Sequence, residues 1–73
     1  MKVREFFENF NPQLAEQTNL YMRDVRSNTV RTDTVEIIMR DDGLHEGWKN
    51  ADICSWSITE HTVVLTVEKE AEA

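Results

Sequence analysis

The sequence predicts an α+β domain in which an N-terminal amphipathic helix packs on a small, mainly antiparallel sheet of four to five strands. Three observations lead to this prediction. Apolar residues recur at helical spacing between Val3 and Phe10. Farther along the chain, apolar and polar residues alternate at strand spacing in several short segments. Between two of these segments stands Asp42-Gly43, a pair that suits the tight turn of a hairpin.

The predicted N-terminal helix covers the sheet with aromatic rings. Val3, Phe6, Phe7 and Phe10 fall at i, i+3, i+4 and i+7, so they share one helix face. A buried aromatic side chain removes on the order of 150–250 Å² from water. This short helix is therefore expected to supply a large part of the core.

The segment after this helix predicts a second short helix and then a strand. Proline disfavours helical backbone in the residue before it, so Asn11-Pro12 ends the first helix. The same pair can cap a new helix over residues 12–17, with Leu14 pointing inward. Alternation over residues 19–25 predicts the first strand, and residues 26–29 form the turn that follows it.

The stretch from Thr34 to Trp48 predicts a central hairpin. Its first strand has an apolar face, and the alternation is interrupted only by Ile38. Asp42-Gly43 makes the predicted turn, and residues 44–48 form the returning strand. The apolar face of the first strand consists of Val35, Ile37 and Met39.

A terminal hairpin completes the predicted sheet. Residues 53–59 and 63–67 alternate regularly, with Glu60-His61 at the turn between them. Cys54, Trp56 and Ile58 are predicted to share the inward face of the first of these strands. Residues 1–68 are expected to form one domain, and residues 69–73 a flexible charged tail. The predicted core consists of Val3, Phe6, Phe7, Phe10, Leu20, Val35, Ile37, Met39, Trp56, Ile58, Val63 and Leu65.

Charge and composition narrow the classes of partner. The chain has 73 residues and a net charge of −6. A field of this sign repels phosphate and anionic lipid, so we expect neither direct nucleic-acid binding nor membrane association. No apolar run approaches the ~20 residues that span a bilayer. Cys54 is the single cysteine, which favours a reducing, cytoplasmic location.

The residues that could carry chemistry form no recognisable catalytic or cofactor motif. Cys54 is expected to be a buried apolar residue, because it lies on the apolar face of its strand. His45 has Asp41, Asp42 and Glu46 close in sequence, but their spacing matches neither a zinc site nor a calcium loop. The sequence therefore predicts a protein that is not an enzyme and that uses neither a cofactor nor a metal.

The downstream end of the predicted central hairpin is the predicted contact surface for a protein partner. It comprises Asp41, Asp42, His45, Glu46 and Trp48. The four polar residues are alternatively solvated turn residues. Trp48 is either an exposed contact residue or part of the core, and the sequence leaves both open. Free sheet edges offer a second route to association, because an unpaired strand can accept another chain.

The order of the segments carries a resemblance. The chain begins with MKVREFFENFNP, continues to an acidic turn with His45-Glu46-Gly47-Trp48, and ends with ICSWSITEHTVVLTVE. This layout resembles that of short uncharacterised proteins of phages and prophages of Gram-positive bacteria, with residues 27–33 as an insertion. The resemblance covers most of the chain as a pattern of element order. It implies a phage origin and a similar small fold, and it brings no activity with it.

These observations together predict a small acidic protein-interaction module, an accessory protein of a phage or mobile element that binds a host or phage protein. One alternative is an anti-defence inhibitor of the anti-CRISPR kind, whose carboxylates imitate nucleic-acid phosphates. That function requires acids gathered on one face. Another alternative is a small metal-dependent enzyme or regulator that uses His45 and the acids near it. A homodimer would enlarge the thin core expected of so short a chain.

Overall fold

The predicted α+β class is confirmed by the computed structural model, which describes residues 1–70. Within these residues, four short helices accompany a four-stranded sheet. The helices are α1 (Val3–Phe7), α2 (Pro12–Gln17), α3 (Val35–Ile38) and α4 (Glu46–Lys49). The strands are β1 (Asn19–Asp24), β2 (Val30–Thr34), β3 (Asp52–Thr59) and β4 (Thr62–Glu68).

The strands lie side by side in the order β2-β1-β4-β3. β1 and β2 form an antiparallel hairpin, and so do β3 and β4, whose loop is Glu60-His61. The two hairpins meet at the centre, where β1 and β4 run parallel. The sheet is thus mainly antiparallel, as predicted, with one parallel pair between strands that are far apart in sequence.

The core lies on one face of this sheet. Leu20 and Met22 of β1 stand beside Val63 and Leu65 of β4, and all four are almost completely buried. The helices and the segments joining them cover these side chains. The covering residues that are themselves buried are Val3, Phe7, Val35, Ile38 and Ala51. The opposite face of the sheet carries exposed residues such as Tyr21 and Ser57.

The predicted cap of α2 is confirmed, but the residue of α2 that faces the core is not the predicted one. The Asn11 side-chain oxygen accepts a hydrogen bond of 2.7 Å from the Leu14 backbone amide, and Pro12 occupies the first helical position. Leu14 itself is exposed, so the prediction that it points inward is wrong. Ala15 packs against the core instead, which brings the helix close to its neighbours.

The predicted central hairpin is wrong. Its first strand is the short helix α3, which buries Val35 and Ile38, and its returning strand is replaced by α4. These two buried residues stand three apart, the spacing of a helix face, and Thr34 caps the helix by accepting a 3.4 Å hydrogen bond from the Ile37 amide. Ile37 is only half-buried. Ile38, the residue that interrupted the strand pattern, therefore marks the helical period.

The turn predicted between these two segments is a turn of another kind. Gly43 has φ of +77°, the backbone conformation expected of a glycine in a tight turn. The chain then passes into α4 instead of a strand. The prediction of a hairpin turn at Asp42-Gly43 is therefore wrong, because the segment is a loop between α3 and α4; only the positive φ of Gly43 agrees with it.

The C-terminal end of the fold extends beyond the predicted domain boundary. The backbone amide of Lys69 donates a 3.1 Å hydrogen bond to the buried carboxylate of Asp24. The Lys69 ammonium lies 4.7 Å from the centre of the Trp48 ring, within range of a cation–π interaction. Lys69 thus belongs to the folded unit, and residues 71–73 of the predicted tail lie outside the described residues.

Candidate interaction surface on edge strand β3

The two outer strands of the sheet differ in how their free edges are protected. β2 carries Arg31 and Asp33 beside Met22 and Leu20, so charged side chains stand on its core-side face. Charges in this position discourage another strand from adding to an edge. From Cys54 to Thr59, β3 contains neither a charged residue nor a proline. The β3 edge therefore lacks the protection that the β2 edge has.

Among the described residues, only those at the beginning of β3 are covered on the outer side of the strand. The Ile53 amide donates a 2.9 Å hydrogen bond to the Met1 carbonyl, and the Val3 amide donates one of 3.0 Å to the Ala51 carbonyl. Lys2 lies opposite Asp52 there, and the hydrogen bond between their side chains raises the pKa of Lys2. Within residues 1–70, no segment pairs with the outer side of β3 after this point. Residues 54–59 form a free edge.

An apolar strip runs beside this free edge on the core side of the sheet. Trp56 pairs with Leu65, and Ile58 pairs with Val63, so both face the same side as the core. They are nevertheless 60% and 57% exposed. The Phe6 ring of α1 lies 5.9 Å from the Trp56 ring, centre to centre. We call Phe6, Trp56 and Ile58 the β3 strip, and it extends the core to the surface.

The prediction that Trp56 and Ile58 are core residues is therefore wrong, although the face was predicted correctly. α1 is only five residues long and reaches Trp56 with a single ring. It leaves the outer strand largely uncovered. Cys54, predicted to be buried, is exposed as well, because the ladder between β3 and β4 shifts register between Ile53 and Ser55. Such a bulge breaks the alternation on which the prediction rested.

A groove lies between α1 and the free part of β3. Its volume is about 610 Å³. Its walls combine apolar side chains with two polar side chains on the helix side and the Cys54 thiol on the strand side. The residues that line it are Met1, Glu5, Phe6, Asn9, Ile53, Cys54 and Trp56. An extended segment added to β3 could place a side chain in this groove, because alternate side chains of a strand point to one face.

The structure separates the five residues of the predicted contact surface. Asp41 and Asp42 are exposed in the loop before α4. His45 is only 2% exposed, and its Nε2 atom lies 3.4 Å from an Arg31 side-chain nitrogen. Its burial removes His45 from any contact surface. The exposed part of the prediction thus reduces to the two aspartates and to the surface around Glu46 and Trp48.

Glu46 and Trp48 are both engaged within the protein. The Glu46 carboxylate lies 3.0 Å from the Lys49 ammonium and 2.9 Å from the Arg4 guanidinium. The hydrogen bond with Lys49, followed by that with Arg4, lowers the pKa of Glu46. Trp48 is half-buried against the core, with Lys69 over its ring. Both residues border a depression of about 480 Å³, whose walls include exposed Leu44.

The sequence predicts the residues of the β3 strip as core residues and not as a contact surface. One signal pointed to the edge: six consecutive residues, CSWSIT, are uncharged in a chain of which 30% is charged. Such a segment suits a strand that another strand covers. The alternation of Trp56 and Ile58 with serine, however, predicts that both are buried under the helix.

The carboxylates are dispersed over the described part of the chain, and several are paired. Side chains of Asp52, Glu70, Glu46, Glu68 and Glu36 each lie within 3.3 Å of a lysine or arginine nitrogen. In residues 1–70, no three side chains of His, Cys, Asp or Glu come together as potential metal ligands. No helix in this range is long and apolar enough to cross a membrane.

Comparison with known proteins adds no relative. No protein-family model, curated protein or solved structure matches this chain.

Proposed function

We propose that the chain is a small acidic, non-enzymatic protein-interaction module, a cytoplasmic accessory protein of a phage or mobile element. It binds a host or phage protein through the free edge of β3 and the adjoining β3 strip. The observation that carries this proposal is the combination of an unprotected edge strand with an exposed tryptophan and isoleucine on its core side. The phage origin rests on the resemblance in element order described above.

The chemistry of the β3 edge supports binding of an extended segment. Free backbone amides and carbonyls of an edge strand supply hydrogen bonds to any incoming strand, whatever its side chains. The β3 strip and the groove then select those side chains, because they combine apolar side chains with the polar groups of Glu5 and Asn9. Tryptophan is enriched among the residues that dominate binding energy in interfaces. Trp56, 60% exposed, is placed to act in this way.

The surface around Trp48 is the weaker candidate for the same function. The Lys69 side chain occupies one side of the Trp48 ring, and Glu46 is held by two cations. A partner would have to displace these contacts. At residues 54–59 of β3, by contrast, a partner would break no backbone pairing within residues 1–70. No observation on residues 1–70 favours nucleic-acid mimicry or metal-dependent chemistry over this proposal.

The single cysteine provides a direct test of the proposal. Cys54 is exposed and lies in the groove beside the free edge. We would attach a photoreactive maleimide to it, irradiate the protein in a lysate of a candidate bacterial host, and identify the adducts by mass spectrometry. We expect one or a few defined protein adducts, joined through a short segment that the crosslinked peptides reveal.

The matched control moves the label to the other edge. A Cys54→Ser, Thr32→Cys variant places the same group on β2, where Thr32 is exposed. A second control, Ile58→Lys with the label at Cys54, adds a charge to the β3 strip and should suppress the specific adducts. If the β3 label gave only the adducts that the β2 label gives, the proposed function would be wrong.

A further inference from the structure

We infer that a second copy of this chain covers the free edge of β3, so that two protomers form one continuous eight-stranded sheet about a two-fold axis at Ser57. This inference rests on the proposed function, because it names the first occupant of the same edge. A host or phage partner would then compete with the second copy for β3. The hydrogen-bonding pattern, the charges and the side chains of β3 all support a second copy at this edge.

The hairpin sets which backbone groups of β3 face outward. Thr59 and Thr62 pair across the two-residue loop Glu60-His61, which makes them a hydrogen-bonded pair of the antiparallel ladder. In such a ladder, successive residues point their amide and carbonyl groups alternately toward and away from the neighbouring strand. Those of Thr59 and Ser57 face β4, and those of Ile58 and Trp56 face the free edge.

These outward groups complement those of a second β3 strand in a register centred on Ser57. In an antiparallel pair of β3 strands centred on Ser57, Trp56 of each protomer lies opposite Ile58 of the other. Each such pair exchanges two backbone hydrogen bonds, which gives four for the dimer. The same register pairs Cys54 with Glu60, so it spans the free residues and stops where Met1 covers Ile53. The pairing fits the length of the free edge.

The side chains agree with this register. Trp56 and Ile58 of both protomers meet on the core side of the joined sheet, where aromatic and β-branched residues form favourable cross-strand pairs. The exposed parts of both β3 strips then cover each other. On the opposite face, the two Ser57 side chains lie next to each other across the axis, a close contact that small side chains permit.

The cover at the start of β3 also favours this register over the one centred on Trp56. Shifting the axis to Trp56 would bring Glu60 of one protomer to Asp52 of the other, where Lys2 already lies on the outer side of the strand. With the axis at Ser57, Glu60 lies opposite the uncharged Cys54. The paired strands are neutral between their ends, although each protomer carries a net charge of −6. The net charges of the two protomers therefore oppose association through long-range repulsion, and no like charges meet directly in the paired strands.

The salt dependence of binding distinguishes a second acidic copy from a basic partner. Salt screens the repulsion between two acidic protomers, while it leaves strand pairing and apolar contact in place. Raising NaCl from about 0.02 M to about 0.5 M should therefore lower the dimer dissociation constant by about threefold or more. Binding to a basic segment would weaken over the same range. Sedimentation equilibrium at several protein concentrations measures the constant at each salt concentration.

Substitutions at Ser57 test the position of the axis. Ser57→Lys and Ser57→Glu each place like charges in contact across it and should weaken dimerisation by about tenfold or more. An equimolar mixture of the two variants should restore dimers, because the opposed charges then attract. Ser57 is exposed, and circular dichroism of each variant checks that the fold is retained. Thr32→Lys, on the exposed β2 edge, should leave the dimer unchanged.

The outcomes separate this inference from the proposed function. A protein that stays monomeric at millimolar concentration in 0.5 M NaCl, or a dimer that Ser57→Lys leaves intact, overturns the inference. If photocrosslinking from Cys54 still identifies a partner in that case, the proposed function stands with another occupant. Restoration of the dimer by the mixed variants supports a second copy in the Ser57 register.

Discussion

At the scale of single residues, Asp24 is a buried carboxylate that accepts several hydrogen bonds. It is 3% exposed at the end of β1, where its carboxylate accepts hydrogen bonds from the Ser27 hydroxyl at 2.6 Å and from the backbone amides of Arg26, Ser27 and Lys69. The Ser27 hydroxyl, together with these amides, lowers the pKa of Asp24 from 3.8 to about 2, although burial opposes the shift. One carboxylate thereby joins the β1–β2 turn to the end of β4.

This environment predicts a pH-dependent contribution of Asp24 to stability. Because the pKa is lower in the folded protein, the ionised carboxylate stabilises the fold above pH 3.8, and the contribution is lost as the pH falls toward about 2. Asp24→Asn should lower the free energy of unfolding by about 1–3 kcal/mol at pH 7, since it removes a charged acceptor of several hydrogen bonds. Urea denaturation of both proteins at pH 7, 4 and 2.5 measures the difference.

The difference between wild type and Asp24→Asn should shrink over the acidic part of that range. Asp41→Asn is the control, because Asp41 is exposed, and it should stay close to wild type throughout. A constant difference between wild type and Asp24→Asn down to pH 2.5 would show that ionisation of Asp24 is not its cause.

At the scale of elements, α3 shows how a short apolar segment acquires its structure. Val35 and Ile38 are buried at helical spacing, whereas Ile37 is half-buried. We expect Ile38→Ala to cost about 2–5 kcal/mol of unfolding free energy, and Ile37→Ala clearly less. Thermal and urea denaturation of the two variants compare them directly. A larger loss for Ile37→Ala than for Ile38→Ala would instead favour the predicted strand, which buries Ile37 and exposes Ile38.

α3 also shows why some elements could be predicted from the sequence and others could not. Over five residues, Val35 to Met39, a strand pattern and a helix pattern differ only in which of Ile37 and Ile38 faces the core. So short a segment carries too little periodicity to decide. The α2 cap and the β1–β2 turn were predicted correctly, because Asn11-Pro12 and Asn28 impose local backbone geometry whatever lies around them.

The candidate site depended on information that is not local. Alternation placed Trp56 and Ile58 on the correct face, but whether a helix covers that face depends on the order of the strands. That order follows from the pairing of β1 with β4, two strands that are distant in sequence. The bulge beside Cys54 likewise depends on how β3 meets β4. The composition of β3, free of charge and proline, was the part that the sequence did contain.

At the scale of the whole molecule, both ends of the described chain contribute to the fold. Residues 1–3 cover the start of β3, and Lys69 bonds to Asp24 and lies over Trp48. A chain that ends after Glu68 should therefore be about 1–3 kcal/mol less stable than one that ends after Glu70, because it loses the Lys69 amide and its ammonium. Comparing these two chains by urea denaturation isolates residues 69 and 70.

A third chain identifies which part of Lys69 matters. Lys69→Ala retains the backbone amide that donates to Asp24 and removes the ammonium near Trp48. Its stability should lie between those of the two truncated chains. Equal stability of all three would place the end of the folded unit at Glu68, the boundary predicted from the sequence.

The central parallel pair also determines when the protein can fold during its synthesis. β1 and β2 leave the ribosome early, but β4, which supplies the other neighbour of β1, follows all the other described strands. Until it emerges, Leu20 and Met22 have only β2 beside them among the described strands, and a lone two-stranded hairpin is marginally stable in water. The four-stranded sheet can therefore form only after β4 has left the ribosome.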